Sequence, residues 1–180
     1  MAATTAAGCF MYFAFGSNLL RERLHLANPS AVFLSTGRLK DYELNFGLWD
    51  EHVDNAWHGG VATILPSPGA EVWGVVWTLS DEHKATLDKQ EGVNIGCYSP
   101  LEVQVETQAG PVLCRTYQMN NFHACLPSPQ YKQVVCRGAE QNGLPAEYLE
   151  KLAAIPTNNY TGPSILDKIR VPEKEQISRE

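Results

Sequence analysis

The chain has 180 residues and a mass of 19.9 kDa, the size of one domain. Hydrophobic residues make up 44 % and charged residues 19 %, a mixture that excludes wholesale disorder. Fourteen basic against twenty acidic side chains give a formal charge of −6, which argues against nucleic acid as a partner. The excess is uneven, since residues 71–110 alone hold two basic and seven acidic side chains. The five cysteines (Cys9, Cys97, Cys114, Cys125, Cys136) are odd in number and form no CxxC pair. They read as reduced thiols of a cytoplasmic protein. Met1–Ala7 has neither the basic start nor the apolar stretch of a signal peptide. No run approaches the roughly 20 apolar residues of a membrane span, so no membrane role is expected.

In chain order, Phe10–Phe15 is apolar throughout and predicts a short strand buried on both faces, ended by Gly16. Ser17 or Asn18 then caps a helix over Leu19–Ala27, with Leu19, Leu20, Leu24 and Leu26 as inward candidates. Ala31–Thr36 and Asp41–Phe46 read as half-buried strands. Gly60–Leu65 and Glu71–Leu79 read as stronger ones, joined by a turn at Pro66-Ser67-Pro68-Gly69. Val72–Trp77 is the most apolar run and predicts a central strand. The period then changes, and Asp81–Gln90 predicts a helix capped by Ser80, with Ala85 and Leu87 inward and Gly92 as a left-handed C-terminal cap. Leu101–Thr107 and Val112–Met119 form a strand pair, and helices follow at Pro129–Arg137 and Pro145–Ala153, separated by Gly138–Gly143. The whole reads as a single α+β domain over 1–180, a mixed curved or barrel-like sheet surrounded by helices. About nine residues at the N-terminus and about 13 at the C-terminus read as mobile.

No GxxxxGK[ST], HExxH, GxGxxG or GxSxG occurs, and the five histidines show no metal-ligand spacing. No metal site is expected. His58, before Gly59-Gly60, reads as a turn residue and is the one functional candidate among the histidines. Two features could carry chemistry. Phe15-Gly16-Ser17-Asn18 joins a strand to a helix, and its amides could hold a carboxylate or a developing oxyanion; it reads equally as a tight turn. Glu91 ends a helix inside the acidic segment, where the helix dipole and like charges would raise its pKa toward that of a general base. By local pattern alone it reads first as an exposed Glu before a capping Gly. Spacing alone does not place Glu91 opposite the turn.

Taken together, the ordered stretches resemble the gamma-glutamylcyclotransferase family. They are Tyr12–Leu20, Trp57-His58-Gly59-Gly60 with Ala62-Thr63-Ile64, Glu71–Trp77, and Gln90-Glu91-Gly92-Val93. Further along come Cys114-Arg115-Thr116-Tyr117, Ser128–Lys132, Asn142–Pro145 and Tyr160-Thr161-Gly162. The resemblance implies the family's fold and an intramolecular acyl transfer on a small γ-glutamyl substrate. The substrate's α-amine attacks its own γ-carbonyl, releasing an amino acid and 5-oxoproline with no cofactor. It implies Glu91 as the catalytic carboxylate, Tyr12, Phe13, Ala14, Phe15, Gly16, Ser17 and Asn18 as the substrate-holding stretch, and Tyr117 and Tyr131 as substrate contacts. It also implies a homodimer. Phe15 departs from the family pattern, which has Tyr there. A cyclotransferase for γ-glutamylamines, or an idle relative that binds an acidic metabolite or a protein partner, stand as alternatives.

Overall fold

The computed structural model of the protein describes residues 8–49, 58–93 and 96–158. Readings made for Trp57, for Tyr160-Thr161-Gly162 and for the two chain ends lie outside these residues. The first strand, β1 (Cys9–Ala14), is buried along almost its whole length, as its unbroken apolar run requires. A single turn of 3-10 helix (Ser17–Leu19) and α1 (Arg21–His25) follow, then β2 (Val32–Leu48), β3 (Val61–Ser80) and α2 (His83–Gln90). The chain continues through β4 (Tyr98–Thr107), β5 (Gly110–Met119), the two-residue β6 (His123–Ala124), α3 (Pro129–Gln141) and α4 (Ala146–Ala153).

The strands form one mixed sheet in the order β3-β1-β5-β4-β2-β6, and a further pairing of β2 with β3 closes five of them into a barrel. β1 runs antiparallel to β3, from Cys9 opposite Ser80 to Ala14 opposite Val75, and parallel to β5 at Tyr12 and Arg115. Closure removes the exposed edges that an open sheet presents. The expected α+β class with a barrel-like sheet is what the chain forms. Phe13, Ile64, Val75, Val76, Trp77, Val105 and Val134 are among the fully buried side chains of one continuous core.

Several local expectations are corrected. The two strands expected in 31–46 are one strand, and so are the two expected in 60–79. The Pro66–Gly69 segment is not a hairpin turn but an excursion within β3, where the register passes from Lys40–Glu71 to Tyr42–Pro66. Asp41, at φ 67°, accepts the Gly69 amide at 3.0 Å, so the turn-forming residues shape a bulge while pairing continues on both sides. The helix expected over 19–27 shrinks to α1, capped by neither Ser17 nor Asn18, and Leu26 is exposed while Leu19, Leu20 and Leu24 are buried. The helix expected from Asp81 starts at His83 without a Ser80 cap, and it leaves Ala85 exposed while Leu87 is buried. Finally, α3 runs through Gly138 to Gln141. A Cβ on Gly138 would stand 2.4 Å from the Leu20 amide nitrogen, so this glycine marks a close helix approach rather than a stop. His58 adopts a left-handed φ of 59°, in keeping with a turn role, and its carbonyl accepts from Asn158 Nδ2 at 2.7 Å.

Candidate active site

The end of β1 delivers Phe15-Gly16-Ser17-Asn18 onto a cavity of about 310 Å³, and the end of α2 delivers Glu91 onto the same cavity. Tyr12, Tyr117 and Tyr131 also line it. Phe13 and Ala14 are not among the lining residues; both are fully buried, and the Phe13 carbonyl accepts from Thr116 Oγ1 at 2.9 Å. Strand alternation explains Phe13, whose side chain leaves the strand on the face opposite to Tyr12.

The turn is held tightly. Leu19 donates its amide to Gly16 at 3.0 Å, and Leu20 donates to Ser17 at 3.2 Å. The Tyr131 hydroxyl, presented by the first turn of α3, accepts the Ala62 amide at 2.9 Å and also the Ser17 amide. The Gly16 and Asn18 amides make no such bond among the described residues. A Cβ on Gly16 would lie 2.9 Å from both the Ala62 Cβ and the Tyr131 hydroxyl, so only glycine fits between turn and helix. The Asn18 side chain turns inward and donates to the Tyr12 hydroxyl at 3.1 Å. Burial pushes the Tyr131 phenol up to about 12 and Tyr12 well above the usual tyrosine range, so both stay neutral. Tyr131→Phe is expected to lower Tm by several degrees, because it strips two buried amides of their acceptor at about 1–3 kcal/mol each. Thermal unfolding of the variant checks this, and an unchanged Tm would contradict it.

Glu91 follows the last residue of α2, donates its amide to Leu87 at 3.0 Å, and is followed by Gly92 at φ 68°. The expected left-handed cap is present. The carboxyl group is raised to about 7. Burial is the main cause; Arg23 opposes it, and the neighbouring Asp88 adds to it. The general acidity of residues 71–110 has little part in this. Glu71, Asp81, Glu82 and Glu102 are exposed, and Glu71 is engaged with Arg38 and Trp73. Asp88 itself is held by Arg115, which donates to both of its oxygens at 2.8–2.9 Å. The Tyr117 hydroxyl donates to the same carboxylate. That network fixes the Tyr117 ring edge-on to Tyr12 at the cavity wall, with ring centroids 6.0 Å apart.

Several lining residues carry no signal that sequence reasoning used. Tyr98 donates its hydroxyl to the Ala62 carbonyl at 2.6 Å, from a strand that starts three residues earlier than expected. Arg23, Lys89 and Gln90 also line the cavity. Gln90 could have been found, since it stands directly before Glu91 in the stretch that carries the resemblance. Its amide bridges Asn28 at 2.9 Å and Asn18 at 3.3 Å. With nitrogen and oxygen interchanged, its oxygen accepts from the Arg23 guanidinium at 3.0 and 3.1 Å.

A closed mixed barrel whose cavity sets backbone amides opposite a carboxylate poised near neutrality is a site for acid–base chemistry on a small polar substrate. The AIG2-like family profile matches residues 71–152, a span that holds Glu91, Tyr117 and Tyr131. A gamma-glutamylcyclotransferase of Bos taurus is 56 % identical over 154 residues, 85 % of this chain and 82 % of the relative. The Homo sapiens gamma-glutamylcyclotransferase is 54 % identical over the same shares. A solved structure described as a gamma-glutamyl cyclotransferase superposes with a TM-score of 0.87 at 48 % identity, covering 96 % of this chain and 99 % of its own. The chain is an enzyme and belongs to the gamma-glutamylcyclotransferase family. No helix among the described residues is long and apolar enough to cross a membrane.

Proposed function

We propose that the enzyme cyclises γ-glutamyl-amino acids, releasing 5-oxoproline and the free amino acid, with Glu91 as the proton-transfer group. The observation that carries this reading is a single cavity holding both the Gly16–Asn18 turn and a carboxyl group raised to about 7. The substrate's α-amine is protonated at neutral pH and is then no nucleophile. A carboxylate with an ordinary pKa is a weak base, whereas one near 7 accepts the ammonium proton more readily. The free amine attacks the γ-carbonyl, and negative charge develops on its oxygen. The amides of Gly16 and Asn18 are available for that oxyanion or for the glutamyl carboxylate. Glu91 then returns its proton to the departing nitrogen, so base and acid are the same group and no water is consumed.

The remaining work is conformational. The glutamyl chain must bend until its amine meets its own carbonyl, and well-oriented intramolecular attack gains much from fixed geometry. Neutral, packed phenols at positions 12, 98, 117 and 131 give the cavity rigid walls for that bend. Phe15 supplies an apolar wall where the family pattern places a hydroxyl. The missing hydrogen bond would weaken binding by about 0.5–1.5 kcal/mol if it contacts substrate, and it leaves the proton-transfer group in place.

The test is release of 5-oxoproline from γ-glutamyl-alanine by the purified enzyme in the presence of a metal chelator. Turnover with one equivalent of alanine per 5-oxoproline is the expected result. Binding without turnover across several γ-glutamyl dipeptides would instead identify an idle binder. Release from γ-glutamylamines alone would move the substrate class to those compounds.

A further inference from the structure

Groups from every side of the cavity act on the Glu91 carboxyl: Tyr12 of β1, Arg23 of α1, Cys97, Tyr98 of β4, Tyr131 of α3 and, on α2 itself, Asp88. Burial keeps the phenols and the thiol neutral, so the charges acting on Glu91 are those of Asp88 and Arg23. Asp88 is fixed by Arg115. Arg23 acts through space, for the Glu91 carboxylate accepts no hydrogen bond and forms no ion pair with a described residue.

The Gln90 side chain holds the guanidinium in that place. A guanidinium offers donors only, so the amide turns its oxygen to Arg23, at 3.0 and 3.1 Å from the two terminal nitrogens. The amide nitrogen is left for Asn28 at 2.9 Å, a fully buried residue whose Oδ1 otherwise has no donor. The Asn18 side chain lies 3.3 Å from the same amide. Gln90 is thus gripped by α1, by the segment after it and by the turn, and both its polar atoms serve the protein rather than a ligand. Arg23, Gln90 and Glu91 all line one cavity of about 310 Å³. A guanidinium there has two acceptors to choose between, the Gln90 amide and the Glu91 carboxylate. The carboxylate would make the stronger pair, and a paired carboxylate no longer takes up a proton readily. Resting on the proton-transfer reading above, we propose that Gln90 is a positioning residue, whose amide oxygen keeps the Arg23 guanidinium from closing onto Glu91 and so leaves the base unpaired for the substrate ammonium.

The experiment measures the acid limb of kcat for 5-oxoproline release from γ-glutamyl-alanine and, independently of turnover, the titration midpoint of the Glu91 carboxyl by 13C NMR. In Gln90→Met the guanidinium loses its amide and closes onto Glu91, so both midpoints fall by about 1–3 pH units. Gln90→Asn, one methylene shorter, withdraws the amide from Arg23, behaves alike and serves where the methionine variant does not fold. Gln90→Glu keeps an oxygen for Arg23 and lowers neither midpoint. With Arg23→Met in the same chain, Gln90→Met no longer lowers them. A Gln90 that only supports the fold would cost Tm and leave the midpoints in place, so midpoints unmoved in both Gln90→Met and Gln90→Asn overturn the proposal. A fall in Gln90→Glu, or an equal fall when Arg23 is absent, overturns it as well. If the unmodified enzyme releases no 5-oxoproline, the cyclisation reading falls, while the carboxyl midpoint still decides the role of Gln90.

Discussion

Glu91→Gln is expected to lower kcat by about 10²–10⁴, the usual worth of a positioned general acid–base group. KM should change little, because the glutamine keeps the shape of the side chain and the turn amides are untouched. The pH profile gives an independent check. The group must be ionised to accept the substrate proton, and its carboxyl is raised to about 7. Activity should therefore rise from acid pH with a limb centred near 7, well above the ordinary carboxylate range of about 4. A residual rate within a few-fold of the unmodified enzyme would remove Glu91 from the mechanism. A limb centred near pH 4 would show that the cavity does not hold the proton as described.

The same substitution should stabilise the protein above neutral pH. A carboxyl raised by the fold favours its protonated form there, so its stabilising contribution is complete below the unfolded pKa of about 4.3. That contribution is lost as pH rises through the folded value near 7. Above that point the half-buried charge costs up to about 3 kcal/mol relative to a neutral group. Glutamine is neutral at every pH and does not carry this cost. Glu91→Gln should therefore raise Tm at pH 8 by roughly 5–10 °C, and the two proteins should converge near pH 4. Equal melting temperatures at pH 8 would contradict it. Taken with the rate loss, the expected outcome is a variant that is less active and more stable, the usual relation where a site holds a destabilised group.

Much of this site is legible in the sequence. The apolar run of β1, the glycine that ends it, the Asn18 that follows and the Glu91-Gly92 helix end all stand where local chemistry places them. What spacing did not supply was the meeting of the two ends, which depends on barrel closure by β2 and β3. The cause of the raised Glu91 pKa also differs from the one the sequence suggests. Charge counted along the chain suggested an acidic field, yet most of those carboxylates lie exposed, and burial carries the shift with Asp88 adding to it. Gly138 and Pro66–Gly69 misled for a related reason. Glycine and proline mark places where backbone must do something unusual, and only the tertiary partner decides whether that is a stop, a bulge or a close contact. Tyr98, Arg23 and Lys89 gave no signal because single polar residues on ordinary elements carry none.

The Tyr131 hydroxyl that grips the Ser17 and Ala62 amides also orders events during synthesis. The segment after β1 is held by α3 from far along the chain, for the Asn142 side chain donates to Leu19 across 123 positions and Arg21 donates to Gln141 across 120. A chain emerging from the ribosome therefore presents the Gly16–Asn18 turn well before the helix that clamps it. Until α3 has cleared the exit tunnel, the turn has no phenol to dock on.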